Sequence, residues 1–172
     1  MERKKHNVIR KQPNSKMCLV CGLKNPFGLK TAFYELDNGE LLAIFTPREE
    51  HQGYPGRMHG GMAATILDET IGRAIMVNRF DEEIWGVTIE FTSRYKKPVP
   101  LHEELRVLCR VTKNSRRIFE GSGEILLPDG TIAVEAHGRY LKIPLEQIAD
   151  AKPEHLEWRV VPLSTDPESV QL

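Results

Sequence analysis

The stretch from Gly60 to Asn78 constrains the fold more than any other part of the chain. Met62, Ala63, Ile66, Leu67, Ile71, Ala74, Ile75 and Val77 leave little of its surface polar, the mark of a helix buried on most sides. At 1.5 Å per residue it would run roughly 28 Å. A single helix that apolar needs a sheet around it, and the rest of the sequence supplies strands. Residues 30–36 and 40–46 are split by Asp37-Asn38-Gly39, a hairpin turn signal. Residues 84–95 are rich in β-branched and aromatic side chains, and in 103–113 Leu105, Val107, Cys109 and Val111 alternate against mostly charged neighbours. Residues 117–127 and 131–143 flank the turn Pro128-Asp129-Gly130. The expectation is an α+β fold, a mostly antiparallel sheet of five to six strands wrapped around one long central helix.

A chain of 172 residues suits one domain. We place it at 18–143, between a basic flexible arm (1–17) and a proline-rich acidic tail (144–172) with a short helix near 145–151. Lys+Arg and Asp+Glu are 24 each, so no net field gathers nucleic acid. No run approaches the roughly 18–20 apolar residues that span a bilayer. The N-terminus lacks an apolar signal core, so a cytoplasmic address is expected. Three cysteines fit a reducing compartment. Cys18-x-x-Cys21 suggests zinc, but a structural site wants four ligands and no second pair follows. The expectation is therefore no metal, with two reduced thiols packing the start of the domain.

Residues 51–72 carry the chemistry. His59-Gly60-Gly61 opens the helix, and Asp68 stands in its apolar part. Burying an unpaired carboxylate costs several kcal/mol, so Asp68 is a candidate base or nucleophile. The Gly60 N–H, at the positive end of the helix dipole and with Gly61 beside it, is a candidate oxyanion donor. A tight helix start is the other reading of the glycine pair. His59 could exchange protons, but at this position we expect it to orient the loop. Glu69 lies about 100° around the helix from Asp68 and reads as a partner of Arg73 at i+4.

His51-Gln52-Gly53-Tyr54-Pro55-Gly56-x-x-His59-Gly60-Gly61, with Asp68 following, resembles the hotdog-fold acyl-CoA thioesterases of the phenylacetate-pathway (PaaI-like) type. So do Cys18-x-x-Cys21-Gly22-x-x-Asn25-Pro26-x-Gly28-Leu29 and Tyr95-x-x-Pro98-x-Pro100-Leu101. The resemblance covers about residues 18–143. It implies a sheet wrapped around a central helix, a dimer as the minimal unit, and acyl-CoA hydrolysis without metal or organic cofactor. It carries a hydroxyl that steadies the acid onto Thr88. Where family members with a shorter loop hold the thioester carbonyl with an asparagine, this chain offers Gln52. A sister branch uses a glutamate on the helix, which leaves Asp68 and Glu69 both open as the acid.

Gly60 and Asp68 are eight residues apart, about 12 Å along one helix, too far for one carbonyl to touch both. If both act on one substrate they come from two copies of the chain, a homodimer or a dimer of dimers. Arg94, Lys96 and Lys97 would suit the phosphates of coenzyme A, or merely solvate a sheet edge. Two functions are weighed. One is an acyl-CoA thioesterase. The other is a non-catalytic acyl-CoA-binding hotdog module, a ligand sensor or partner subunit. Neither reading calls for nucleic acid or membrane.

Overall fold

Eight strands join one sheet in the computed structural model, which describes residues 4–172 apart from 80, 81, 83, 151–154 and 156. Strand β1 (Lys5–Lys11) precedes the hairpin β2 (Ala32–Leu36) and β3 (Leu41–Phe45). Helix α1 (Gly60–Arg73) follows, then β4 (Gly86–Tyr95), β5 (Leu105–Asn114), β6 (Ile118–Leu126), β7 (Ile132–Lys142) and β8 (Ser169–Gln171). The spatial order is β4-β7-β6-β5-β3-β2-β1-β8, antiparallel at every pairing. The turns read from the sequence close their hairpins with glycine in the left-handed region, Gly39 at φ +82° and Gly130 at φ +86°.

The sheet exceeds the expected five to six strands because both ends of the chain contribute. Residues 5–11, read as part of a flexible arm, pair with β2 through Val8↔Leu36 and Arg10↔Glu35. Strand β8 pairs outside them through His6↔Val170. These marginal strands add only Val8 and Val170 to a small apolar cluster with Tyr34, Leu36 and Leu42, and polar contacts hold the rest. Lys11 Nζ donates to Asp166 at 2.6 Å and to the Val161 carbonyl at 2.8 Å. The short helix near 145–151 is one 3-10 turn, Leu145–Gln147, and residue 151 lies outside the described residues.

Helix α1 buries Ala63, Ile66, Leu67, Thr70 and Ile71 against strands β3 to β7. A Cβ on Gly121 would come within 2.7 Å of Ile71, and one on Gly123 within 2.2 Å of the Cys109 sulfur. These two glycines of β6 let the helix lie close on the sheet. The opposite stripe, Gly61, Thr65, Asp68, Gly72 and Met76, is only half-buried or exposed. Beside it lies β4, which pairs only with β7 and has no buried residue. Its Ile89 is 48% exposed. The helix is thus wrapped on one side and open on the other.

Candidate active site

Asp68 sits on the open stripe of α1. Its carboxylate accepts a hydrogen bond from the Thr88 hydroxyl, 2.9 Å to Oδ1 and 3.2 Å to Oδ2. The Tyr140 hydroxyl lies 3.0 Å from Oδ1 and 3.0 Å from the Asp68 carbonyl oxygen. Thr88 and Tyr140 face each other across β4 and β7, and the register slips immediately afterwards, Glu90 opposing Arg139. That bulge at Ile89 ends the regular pleat beside the two hydroxyls that meet on one carboxylate, the kind of re-aiming a bulge provides. Tyr140 is fixed by stacking on Phe119, centroids 4.9 Å apart. Burial pushes the Asp68 carboxyl above its ordinary value, while the Thr88 and Tyr140 hydroxyls pull it back down and Glu69 adds to the rise. Burial, and then the neighbouring carboxylate, keep the Tyr140 hydroxyl protonated, so it remains a donor. Asp68 and Thr88 line a cavity of about 560 Å³ whose walls are mostly apolar, with Met76, Trp85 and Trp158 among them.

The helix mouth is a separate construction. His59 caps α1, its Nδ1 accepting from the Gly61 N–H at 2.9 Å. Its own N–H donates to the His51 carbonyl at 2.8 Å. His51 is buried, with Nδ1 accepting from the Arg48 N–H and Nε2 2.9 Å from the Phe27 carbonyl oxygen. That ties the loop to the Asn25-Pro26-x-Gly28 turn. Gln52 is exposed and accepts from the Gly56 N–H at 2.9 Å, so it braces the loop. The Tyr95 hydroxyl donates to the Gly60 carbonyl at 2.8 Å. The Gly60 N–H meets no acceptor among the described residues. A Cβ on Gly60 would find only ordinary contact, 3.4 Å from the Tyr95 ring. Interior packing therefore does not demand glycine there. Arg94, on the strand that carries Tyr95, and Lys96 and Lys97, just past its end, are exposed, and Lys96 is ion-paired with Glu135.

One chain therefore holds two separate groups of candidate residues. Asp68 with Thr88 forms one; His59, Gly60, Gly61 and Gln52, joined to β4 by Tyr95, form the other, and none of these four lines the Asp68 cavity. Glu69 meets Arg73 as its spacing suggests, Arg73 Nε donating to Oε1 at 2.9 Å. Sequence reasoning missed Tyr140. The available signal was a tyrosine on the inward face of β7, since a buried tyrosine hydroxyl requires a partner. It also missed that tail residues His155 and Trp158 reach the cavity, where Trp158 lies 4.5 Å from the Arg73 guanidinium. No helix among the described residues is long and apolar enough to cross a membrane.

The family model described as Thioesterase superfamily matches residues 55–134. Acyl-coenzyme A thioesterase THEM4 of Mus musculus is 28% identical over 116 residues, covering 67% of this chain and 48% of that protein. A thioesterase superfamily protein of solved structure is 28% identical with a TM-score of 0.64, over 72% of this chain and 59% of that one. The PaaI protein of E. coli, at 16% identity and a TM-score of 0.60, shares the fold over 67% of this chain and 81% of that one. The chain spans about half the length of the first curated relatives it matches. The architecture is the hotdog thioesterase fold, and the resemblance read from the sequence is borne out.

Proposed function

We propose that this chain belongs to the thioesterase superfamily and is an acyl-CoA thioesterase that hydrolyses a coenzyme A thioester to the free acid and coenzyme A at a homodimer interface. The observation that carries the reading is the Asp68 carboxylate, held by two hydroxyls on the wall of an apolar cavity. An ionised Asp68 takes a proton from water while the water oxygen adds to the thioester carbonyl carbon; direct attack by the carboxylate is the variant of this step. The carbonyl electrons move onto oxygen and return as the C–S bond breaks, and the sulfur leaves as thiolate and is protonated. The developing oxyanion is met by the N–H of Gly60 of the partner subunit, with the Gly61 turn behind it.

The dimer reading is supported by the unpaired β4 edge lying beside the open helix stripe. Two copies joined there can bring one half-site of each together, which the roughly 12 Å separation along α1 denies to a single chain. Arg94, Lys96 and Lys97 would meet the phosphates of coenzyme A, with Lys96 exchanging Glu135 for the ligand. His59 acts as the cap that aims the turn, and a dimer of dimers is compatible with the same interface.

The test is a thiol-release assay over short, long and aryl acyl-CoAs. The parent protein is expected to turn over at least one class. Asp68→Asn is expected to lose about 100-fold or more in kcat, and Glu69→Gln to keep most of it. Loss in Glu69→Gln with activity retained in Asp68→Asn would transfer the role to Glu69. Binding of acyl-CoA with no turnover by the parent would establish the non-catalytic module instead.

A further inference from the structure

The Cys18–Gly22 turn and Glu69 form a cluster that thioester hydrolysis does not use. Both sulfurs and a Glu69 oxygen lie within 4.8 Å of one another. We propose that Cys18, Cys21 and Glu69 bind a thiophilic divalent metal ion, best matched by zinc, with the fourth coordination position turned toward the cavity. This inference is independent of the hydrolytic reading.

Four observations converge. First, the turn is shaped for a thiolate: the backbone N–H groups of Val20 and Cys21 point at the Cys18 sulfur, at 3.3 and 3.5 Å. The Gly22 N–H closes the turn on the Cys18 carbonyl at 2.8 Å. A Cβ on Gly22 would lie 2.4 Å from that carbonyl oxygen, so glycine after the second cysteine is a steric requirement. Second, the proton positions mark where a cation would sit. The Cys18 thiol donates to Glu69 Oε2 at 2.9 Å, and a metal would take the place of that proton. Third, Arg73 grips the other sides of two ligands, Nη2 donating to the Cys21 sulfur at 3.0 Å and Nε to Glu69 Oε1 at 2.9 Å. Those contacts orient the donors from outside, as partners around a metal site commonly do, and leave Oε2 free to ligate. Fourth, the charges close: two thiolates and a carboxylate offset one divalent cation plus the Arg73 guanidinium.

The expectation of no metal rested on counting four ligands along the sequence. Glu69 supplies a third from 48 residues beyond Cys21 in the chain, and three protein ligands with one exchangeable position is a known zinc arrangement. Zinc–sulfur bonds of about 2.3 Å need the ligand atoms drawn in by about 1 Å, a side-chain adjustment. All three ligands line the same cavity as Asp68, so the fourth position is open to water or to a sulfur-bearing ligand. Binding releases the thiol protons, and affinity falls with pH.

The 172-residue chain, purified under reductant and stripped of metal, is titrated with Co²⁺. A thiolate-to-cobalt charge-transfer band is expected, saturating at about one ion per chain, and Zn²⁺ should abolish it by displacement. Cys18→Ser and Cys21→Ser should lose the band, Glu69→Gln should bind about tenfold or more weakly, and Cys109→Ser should match the parent. Should the cysteine variants fail to fold, the parental band and the Glu69→Gln shift still decide. No band in the reduced parent, or a band that survives Cys21→Ser, overturns the proposal. So does a parent that ignores cobalt but closes a Cys18–Cys21 disulfide in air, which would be a redox pair.

Discussion

Tyr140 and Thr88 do two jobs on Asp68: they aim its oxygens, and they oppose the upward push that burial exerts on its carboxyl. In the proposed reaction the carboxylate is the working form, and it is lost as pH falls through the raised value. kcat/KM should therefore rise with pH along an acid limb whose midpoint lies above that of an ordinary aspartate. Tyr140→Phe removes one of the donors that lower the value, so its limb should move to higher pH, as should that of Thr88→Val. A pH–rate profile that stays put in both variants would disconnect these hydroxyls from catalysis. Gly60 offers a cleaner test. It is the first residue of α1, where proline is tolerated and no intrahelical bond is lost. His59 already holds the extended conformation that proline demands of its predecessor, φ −62° and ψ 136°. Gly60→Pro should keep the helix by circular dichroism, delete one N–H, and cut turnover about 100- to 1000-fold. A near-parental rate would remove that amide from the mechanism.

Among the elements, the long strands and the helix were legible because each buries one face, and burial writes a period into the sequence. The helix start and the place of Asp68 on the helix were legible too, since glycines at a helix start and a carboxylate among apolar residues are local oddities. The marginal strands β1 and β8 were not legible, because they bury little beyond Val8 and Val170, too few apolar residues to write a period, and polar pairs hold the rest. Tyr140 and the Cys18–Cys21–Glu69 cluster were hidden for another reason: their partners are distant in sequence, and only the folded sheet brings them together. Strand β1 can be tested directly. Its Arg10 donates to Glu35, a fully buried carboxylate, from Nη2 at 2.6 Å and Nε at 3.2 Å, and the Gln12 side chain and the Asn78 N–H also donate to it. Arg10→Met strands that charge among neutral donors and should cost about 3 kcal/mol in urea unfolding. An unchanged midpoint would mean that β1 is no part of the cooperative unit.

For the molecule as a whole, the proposed reaction draws Asp68 from one chain and the Gly60 turn from its partner. Asp68→Asn and Gly60→Pro should each be inactive alone. Co-expressed, they should regain about a quarter of parental activity: random pairing makes half the dimers mixed, and each mixed dimer rebuilds one of its two sites. A catalytic centre complete within a single chain would show no such rescue. The borders of the sheet also differ in what they permit. One ends in the three residues of β8, the other in the ten of β4. Backbone pairing can therefore propagate from a single side. Two molecules that meet along β4 consume each other's only long growing edge, and the ribbon terminates itself at two copies rather than lengthening into a fibre.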